Sequence, residues 1–571
     1  MWTVRRCAQS KYTLTVSNLD HRAAMSEPAR RVSVANQNVR RKNSTALMRE
    51  YVANELIFAV VGPLGSGTSE VAEALKEFLK KQGYRTEILK ARQVIKEWAT
   101  ANGEKVSLGK GLYETEALQN LGDAMRERTK DHAAVALALV EKIRASRAEQ
   151  KGEELKVGRA VEPDGSKRAF IIDSLRNPGE VGLLRNLYQE AFCLIGIVCE
   201  EETRRSRLRE KFRDAGGDAI DELMHRDEKA DQKHGQQVAD TFHLSDFFID
   251  NTPSRFLSGA GQHKRANPKW MVIEELGRLV DILTHTKVVR PRLNETAMFH
   301  AYGARMQSAC LSRQVGAALV DSQGNVVATG TNEVPRAGGG LYGSVLIESF
   351  DDDLPSQEDH RCFVHGGFCR NTREQNDLVK EFLEKVPEFS GIPVTDDLIK
   401  RIRSTRVGQL IEFSRAVHAE MDALLSAARQ GSSPKGTRMF VTTFPCHNCA
   451  RHIVAAGVDE VQFIEPYLKS RALPLHGDAI TTTREAWMPP SAALKSRPTE
   501  TPQVLFHPFT GIAPRLYRKA FYKDRDLKDN LTGDMLKTFP PADGVGATES
   551  LRLSYAQVEA DLASKASGAT S

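Results

Sequence analysis

The sequence predicts an α/β protein with two successive folded units, framed by a basic leader and a polar tail. Three observations carry that expectation. An apolar run at residues 55–61 leads through a glycine-rich loop into an amphipathic helix pattern. Two apolar runs, VGAALV and NVVATG, flank the turn signal Asp321-Ser322-Gln323-Gly324-Asn325. A third apolar run, TRMFVTTF, lies between two helix-like stretches that each open on metal-binding side chains. Alternating strand and helix periodicities of this kind argue for layered α/β units, and 571 residues suffice for several domains.

Composition sets outer limits. Hydrophobic residues at 40% and charged residues at 27% describe an ordinary globular chain. A net charge of +6 is too slight for this size to diagnose nucleic-acid binding. Eight cysteines without a secretory signal argue for reduced thiols, metal ligation and a cytoplasmic setting. Apolar runs such as LIFAVVG and AAVALALV are too short to span a bilayer, so no membrane partner is expected. Residues 1–54 are Arg-rich and poorly patterned, as in a disordered basic tail. Met25 competes with Met1 as the start, and Asp20 and Glu27 weigh against an organelle-targeting leader.

Residues 55–285 form the first unit. Val71, Ala74, Leu75, Phe78 and Leu79 keep helical i, i+3, i+4 spacing after the loop Gly62-Pro63-Leu64-Gly65-Ser66-Gly67-Thr68-Ser69. That loop resembles a Walker A motif, whose backbone N–H groups and helix N-terminus cradle phosphate. Thr68 stands where the motif demands lysine. The missing ammonium removes the usual contact to the β and γ phosphates, so a nucleoside triphosphate is expected to bind without efficient hydrolysis. RAFIID ends at Asp173, a Walker-B-like position. EETRRSRLREKFR resembles the arginine-rich lid of nucleotide kinases; the alternative for Arg204, Arg205, Arg207 and Arg209 is a solvated helix face. Together these features resemble a P-loop nucleotide-kinase-like domain with a degenerate Walker A.

Residues 290–525 form the second unit, which carries the chemistry. His418-Ala419-Glu420 is followed by Pro445-Cys446-His447-Asn448-Cys449. One imidazole and two thiolates leave a fourth tetrahedral position on zinc open for water, whose pKa the metal lowers. Glu420 is suited to shuttle protons beside it. The run after His418 is rich in helix formers and stops at Gly431; the run from Cys446 stops near Gly457. Two helix N-termini are thus predicted to point at the metal and to favour thiolate. H-x-E with a downstream P-C-x-x-C is a zinc-deaminase signature.

The resemblance extends beyond the ligands. Residues 308–339, HAEMDAL, FVTTFPCHNCARHIVAAG and EVQFIEPY are similar to deoxycytidylate deaminases, which implies a three-layer α/β/α cytidine-deaminase-like domain. In that family the residue matching Asn332 contacts the nucleotide sugar; a turn-forming Asn is the alternative. Cys310, Cys362, His365 and Cys369 could close a second, structural zinc site, the first by resemblance to phage deoxycytidylate deaminases, or could be incidental residues of a long insertion. Arg313, Arg336, Lys469 and Arg471 lie at the family's pocket margins, with Arg313 the residue expected to touch substrate, and Tyr467 either stacks on the base or belongs to the core.

A P-loop domain ahead of such a deaminase resembles the bacterial antiphage deoxycytidine-nucleotide deaminases. The resemblance covers most of residues 55–525, including 465–480 and 504–521. It implies conversion of dCTP, dCMP or both to deoxyuridine nucleotides, depletion of a viral DNA precursor, self-association into a homo-oligomer and an unidentified inhibitory regulator. Two other classes compete: a polynucleotide base deaminase and a nucleotide sensor without turnover. The first needs a basic, aromatic-rich track, absent beside the zinc motif in a chain with 7% aromatics; the intact Glu420 counts against the second. Residues 526–571, polar with Gly, Ser and Pro, are predicted to be a flexible tail.

Overall fold

The computed structural model describes residues 53–104, 111–156, 158–213, 216–228, 236–257, 265–343, 359–389, 391–405, 410, 413–467, 469–496, 501–523, 526–536 and 552–568. The predicted basic tail lies outside these residues except at Ala53 and Asn54. No described helix is long and apolar enough to cross a membrane.

Two six-stranded sheets organise the chain. The first contains β1 (Glu55–Val61), β2 (Arg85–Lys90), β3 (Arg168–Asp173), β4 (Phe192–Val198) and β5 (Phe247–Asp250), all parallel, in the order β5-β4-β1-β3-β2. Every residue of β1 is buried, as a parallel strand covered on both faces requires. Leu56, Phe58 and Val60 pack with helices Thr68–Lys81 and Val272–Thr284; Ile57, Ala59 and Val61 pack with Ala91–Ala101, Ala134–Lys151 and Pro178–Tyr188. A short hairpin, β6 (Phe256–Leu257) with β7 (Arg265–Ala266), stands apart.

The second sheet contains β8 (Gly316–Val320), β9 (Val326–Thr331), β10 (Arg438–Thr443), β11 (Glu460–Glu465), β12 (Ile480–Thr481) and β13 (Val504–Pro508), ordered β12-β13-β11-β10-β8-β9. β8 and β9 form the expected antiparallel hairpin, its turn held by Asp321, which accepts from Gln323 N and Asn325 N. Ala317, Leu319, Met439 and Val441 pack with helices Ala419–Arg429 and His447–Ala455, whereas Ala318, Val320 and Phe440 pack with helix Leu293–Arg305. That is a three-layer α/β/α arrangement.

Two expectations about the C-terminal part need correction. Residues 504–521 do not stay within the second unit. Two residues after β13, strand β14 (Gly511–Ile512) pairs antiparallel with β5 and completes the first sheet, and Leu516 and Ala520 of helix Pro514–Phe521 join the first unit's core. Nor is 526–571 simply a tail. Helix Arg552–Gly568 packs on helix Ala134–Lys151, with Tyr555 and Glu559 fully buried. Arg147 explains this: its guanidinium donates to Glu55 Oε2 at 2.8 Å and to Glu559 at 2.6 and 3.1 Å. Tyr188 donates to Glu559 at 2.7 Å and Tyr555 to Glu55 at 3.1 Å. A polar-looking helix is therefore held by a buried charge network together with a narrow stripe of Tyr555, Ala556, Ala560 and Ala563.

Arg147→Met leaves buried Glu559 without its counter-charge and Glu55 with Arg168 alone, so it is expected to lower the melting temperature by on the order of 10 °C. Differential scanning fluorimetry checks this; an unchanged melting point would mean that the C-terminal helix does not depend on the network.

Candidate metal centre and its cavity

The second sheet aims two helix starts at one point. β10 ends at Thr443, and three residues later Cys446 caps helix His447–Ala455, its sulfur accepting from Cys449 N at 3.4 Å. His418 occupies the equivalent cap of helix Ala419–Arg429, in extended backbone, so it stands before the first helical turn and Glu420 within it. That helix sits against the backbone of β9. A methyl group on Gly330 would lie 2.2 Å from the Ala419 carbonyl oxygen and 2.3 Å from Ala423 N, so only glycine permits the approach. Asp422 pins the contact by accepting from Thr331 N at 3.1 Å.

The result is that His418 Nδ1 lies 3.3 Å from Cys446 Sγ and 3.4 Å from Cys449 Sγ. The three ligand atoms lie within 4.8 Å of one another, the only such group among the described residues. One imidazole and two buried sulfurs fit a zinc ion and leave a tetrahedral position open. The hydrogen bond with Cys449, helped by His418, pulls the Cys446 thiol down to about 4, which favours thiolate as metal binding requires. Glu420 is buried, and burial reinforced by the Cys446 charge pushes its carboxyl up to about 7.

A cavity of about 380 Å³ opens over these groups. Phe444 and Tyr467 line it with aromatic surface, and Arg313, Arg370, Arg415 and Lys469 line it with positive charge, while Glu420 is its one carboxylate among the described residues. The Arg313 guanidinium lies 5.9 Å from the Tyr467 ring centroid, and Arg415 donates to the His360 carbonyl at 2.8 Å. Arg336 instead donates to the Gly339 carbonyl, and Arg471 caps the short helix Ala472–His476; neither lines the cavity. Asn332 lines it, but its amide is engaged: Oδ1 accepts from Val315 N and Nδ2 donates to the Arg313 carbonyl, both at 2.6 Å. It positions the 313–315 segment and keeps one amide hydrogen for another acceptor.

The second metal cluster is not assembled. Cys310, Cys362 and Cys369 line the same cavity as His418, Cys369 lies 3.4 Å from Ser312 Oγ, and the His365 ring packs on His360 at 5.2 Å. Metal-binding residue types without a fixed spacing carry no information about where their side chains converge. Sequence reasoning also missed Arg370, Asn371 and Arg415. Arg415, three residues before His418, was within reach of a search around the motif; the other two sit in an insertion without periodic signal.

The glycine loop of the first unit has Gly65 and Gly67 both at φ 84°, left-handed backbone that glycine supplies without steric penalty. Ser69 Oγ donates to Asp173 Oδ2 at 2.6 Å, joining loop and β3. Arg204 is buried behind the loop and Arg207 donates to the Asn251 carbonyl at 2.8 Å, whereas Arg205 pairs with Glu201 on the surface and Arg209 is exposed.

Residues 291–465 match the family described as the cytidine and deoxycytidylate deaminase zinc-binding region. Deoxycytidylate deaminase of Enterobacteria phage T2 is 28% identical over 181 residues, 31% of this chain and 81% of that protein. Its counterpart in phage T4 is 26% identical over 181 residues, 31% of this chain and 79% of that protein. A crystal structure of dCMP deaminase from cyanophage S-TIM5 shares 18% identity and covers 39% of this chain and 100% of that one, at a TM-score of 0.20. The C-terminal half of this chain thus carries a dCMP/cytidine-deaminase-type zinc-binding domain with phage homologues.

Two predictions follow from the geometry. His418→Ala is expected to lose the bound zinc while Cys362→Ser keeps it, measured by elemental analysis; equal loss in both would restore the second site. Gly330→Ala should force the 419–429 helix off β9 and lower zinc occupancy, whereas Thr329→Ala should not.

Proposed function

We propose that the C-terminal half hydrolytically deaminates deoxycytidine nucleotides, dCTP, dCMP or both, to the deoxyuridine forms. The observation that supports this most directly is the cluster of half-buried His418 with buried Cys446 and Cys449 beside buried Glu420, at a cavity whose other charged residues, among those described, are positive. The relatives named above are deoxycytidylate deaminases, and their similarity supports the same reading.

His418, Cys446 and Cys449 hold the metal. A zinc ion there supplies Lewis acidity, making water nucleophilic near neutral pH. Glu420 is buried two residues from the first ligand, where its carboxylate takes one proton from water and gives it to the ring nitrogen, which keeps it, and then carries the second proton from the new C4 hydroxyl to the departing amine. Cytosine and water leave as uracil and ammonia, so the atoms balance. Phe444 and Tyr467 form apolar walls for the base. Arg313, Arg370, Arg415 and Lys469 face the phosphates, where guanidinium forks suit anionic oxygens. The same cations, clustered at one small cavity rather than along a track, favour a free nucleotide over a polynucleotide.

The first unit is read as a nucleotide-binding domain in which the loop amides of Gly62 to Ser69 hold phosphate and Thr68 leaves hydrolysis slow. The cellular role we propose is depletion of dCTP during phage infection, in the cytoplasm and with the enzyme as a homo-oligomer.

Incubation of purified protein with each cytosine nucleotide and with single-stranded DNA, read by mass spectrometry, is expected to show uracil only from deoxycytidine nucleotides. Glu420→Ala should abolish turnover and retain zinc; wild-type rates in that variant would remove its proton-transfer role. ATP turnover by the full chain should be negligible, and brisk phosphate release would overturn the reading of Thr68.

A further inference from the structure

A cavity of about 420 Å³ lies over the glycine loop, between the loop, helix Ala91–Ala101, helix Leu112–Thr129 and helix Glu201–Lys211. Its charges are unevenly used. Asp227, fully buried, accepts from Leu64 N at 2.7 Å and pairs with Arg176, and Asp173 is held by Ser69. Both carboxylates of the lining are therefore engaged. Arg92 and Lys211 face the same space and enter no ion pair among the described residues. Burial pushes the Lys211 ammonium down from its usual range; Arg92 and Arg176 push the same way, and Glu114 opposes them. Cations drawn together against their mutual repulsion mark a place for an anion.

A second, independent observation points to the rest of the ligand. Gln119 is 5% exposed and Gln236 is 8% exposed, and both line the cavity. The Oε1 atom of each is buried without a hydrogen-bond partner among the described residues. A buried acceptor left unpaired is costly, so two lining one cavity call for a ligand that brings N–H or O–H donors.

We propose that this cavity binds a nucleotide whose phosphate chain is held by the loop amides with Arg92 and Lys211, standing in for the absent loop lysine, and whose base presents an exocyclic amino group to Gln119 and Gln236. The proposal rests on the reading of the loop as a phosphate cradle and goes beyond it by naming the residues that replace the lysine and the class of base. Arginine and lysine from neighbouring helices reach the phosphate oxygens that the loop by itself leaves uncontacted. The amide oxygens accept from the amino group, which an oxo base cannot offer.

Equilibrium binding to the full zinc-loaded chain tests it, with ATP, dATP and ITP as probes. ATP and dATP are expected to bind alike, and ITP about tenfold or more weaker, because it replaces the amino group by an oxo group. Arg92→Ala and Lys211→Ala should each weaken ATP by about tenfold or more while leaving the ATP-to-ITP ratio intact. Gln119→Leu should instead erase that ratio. Each variant is judged only with one zinc per chain and a wild-type melting temperature, which separates lost contacts from lost folding; Arg92→Gln and Lys211→Gln replace any alanine variant that fails this. No ATP binding at millimolar concentration would overturn the phosphate-cradle reading together with this proposal. ATP binding indifferent to Arg92 and Lys211 would overturn the proposal and leave the cradle standing. Equal affinity for ATP and ITP with weaker dATP would assign the glutamines to sugar hydroxyls and overturn the choice of base.

Discussion

Two sulfurs and an imidazole nitrogen converge in the interior within 4.8 Å of one another, and the catalytic half is arranged to keep them there. Ionised thiolates have no stable place in a buried site without a cation among them. The fold delivers the three atoms by starting two helices at neighbouring points along one edge of the second sheet. Gly330 lets one lie directly on β9, and the Cys446 cap starts the other immediately beyond β10. Glu420 reaches the same place because it belongs to the first turn that His418 caps.

The two units are joined by more than a linker. The chain leaves the catalytic sheet at β13, turns at Phe509 and Thr510, and enters the other sheet as β14. Gly511 at φ 116° lies against Glu295, where a methyl group would come within 2.7 Å of the carboxylate. Glu295 itself is fully buried, accepts from Ile512 N at 2.8 Å and pairs with Arg278 at 2.7 Å. One carboxylate therefore ties the 272–284 helix, the 293–305 helix and β14 together. A second bridge runs from Asp250 at the end of β5 to Arg484, and from His507 to Glu460 at the start of β11. Asp250 is followed by Asn251, which donates to the Ser66 carbonyl of the glycine loop at 2.9 Å. Continuous strands and buried charges thus connect the loop of one sheet with the strand order of the other.

Much of the local structure was legible. Strand-like runs at 55–61 and 168–173, and the run TRMFVTTF, became β1, β3 and β10, because continuous apolar runs of that length suit strands covered on both faces. The His418 and Cys446 helix starts were legible because caps and ligands occupy adjacent positions. The C-terminal helix was not. Its Tyr555 and Glu559 find their buried partners Glu55, Arg147 and Tyr188 far away along the chain, Arg147 lying 412 residues from Glu559. The engaged amide of Asn332 was hidden for a like reason, since its partners Val315 and Arg313 are set by the hairpin register.

From the sequence alone came the ligand types, their spacing and the alternation of strand and helix, since each depends on neighbours within a few residues. Tertiary structure decided which cations share a cavity, which cysteines fail to meet and where the last helix docks. Those outcomes depend on side chains brought together from distant segments, where burial and unmet charge, rather than local backbone preference, select the partner.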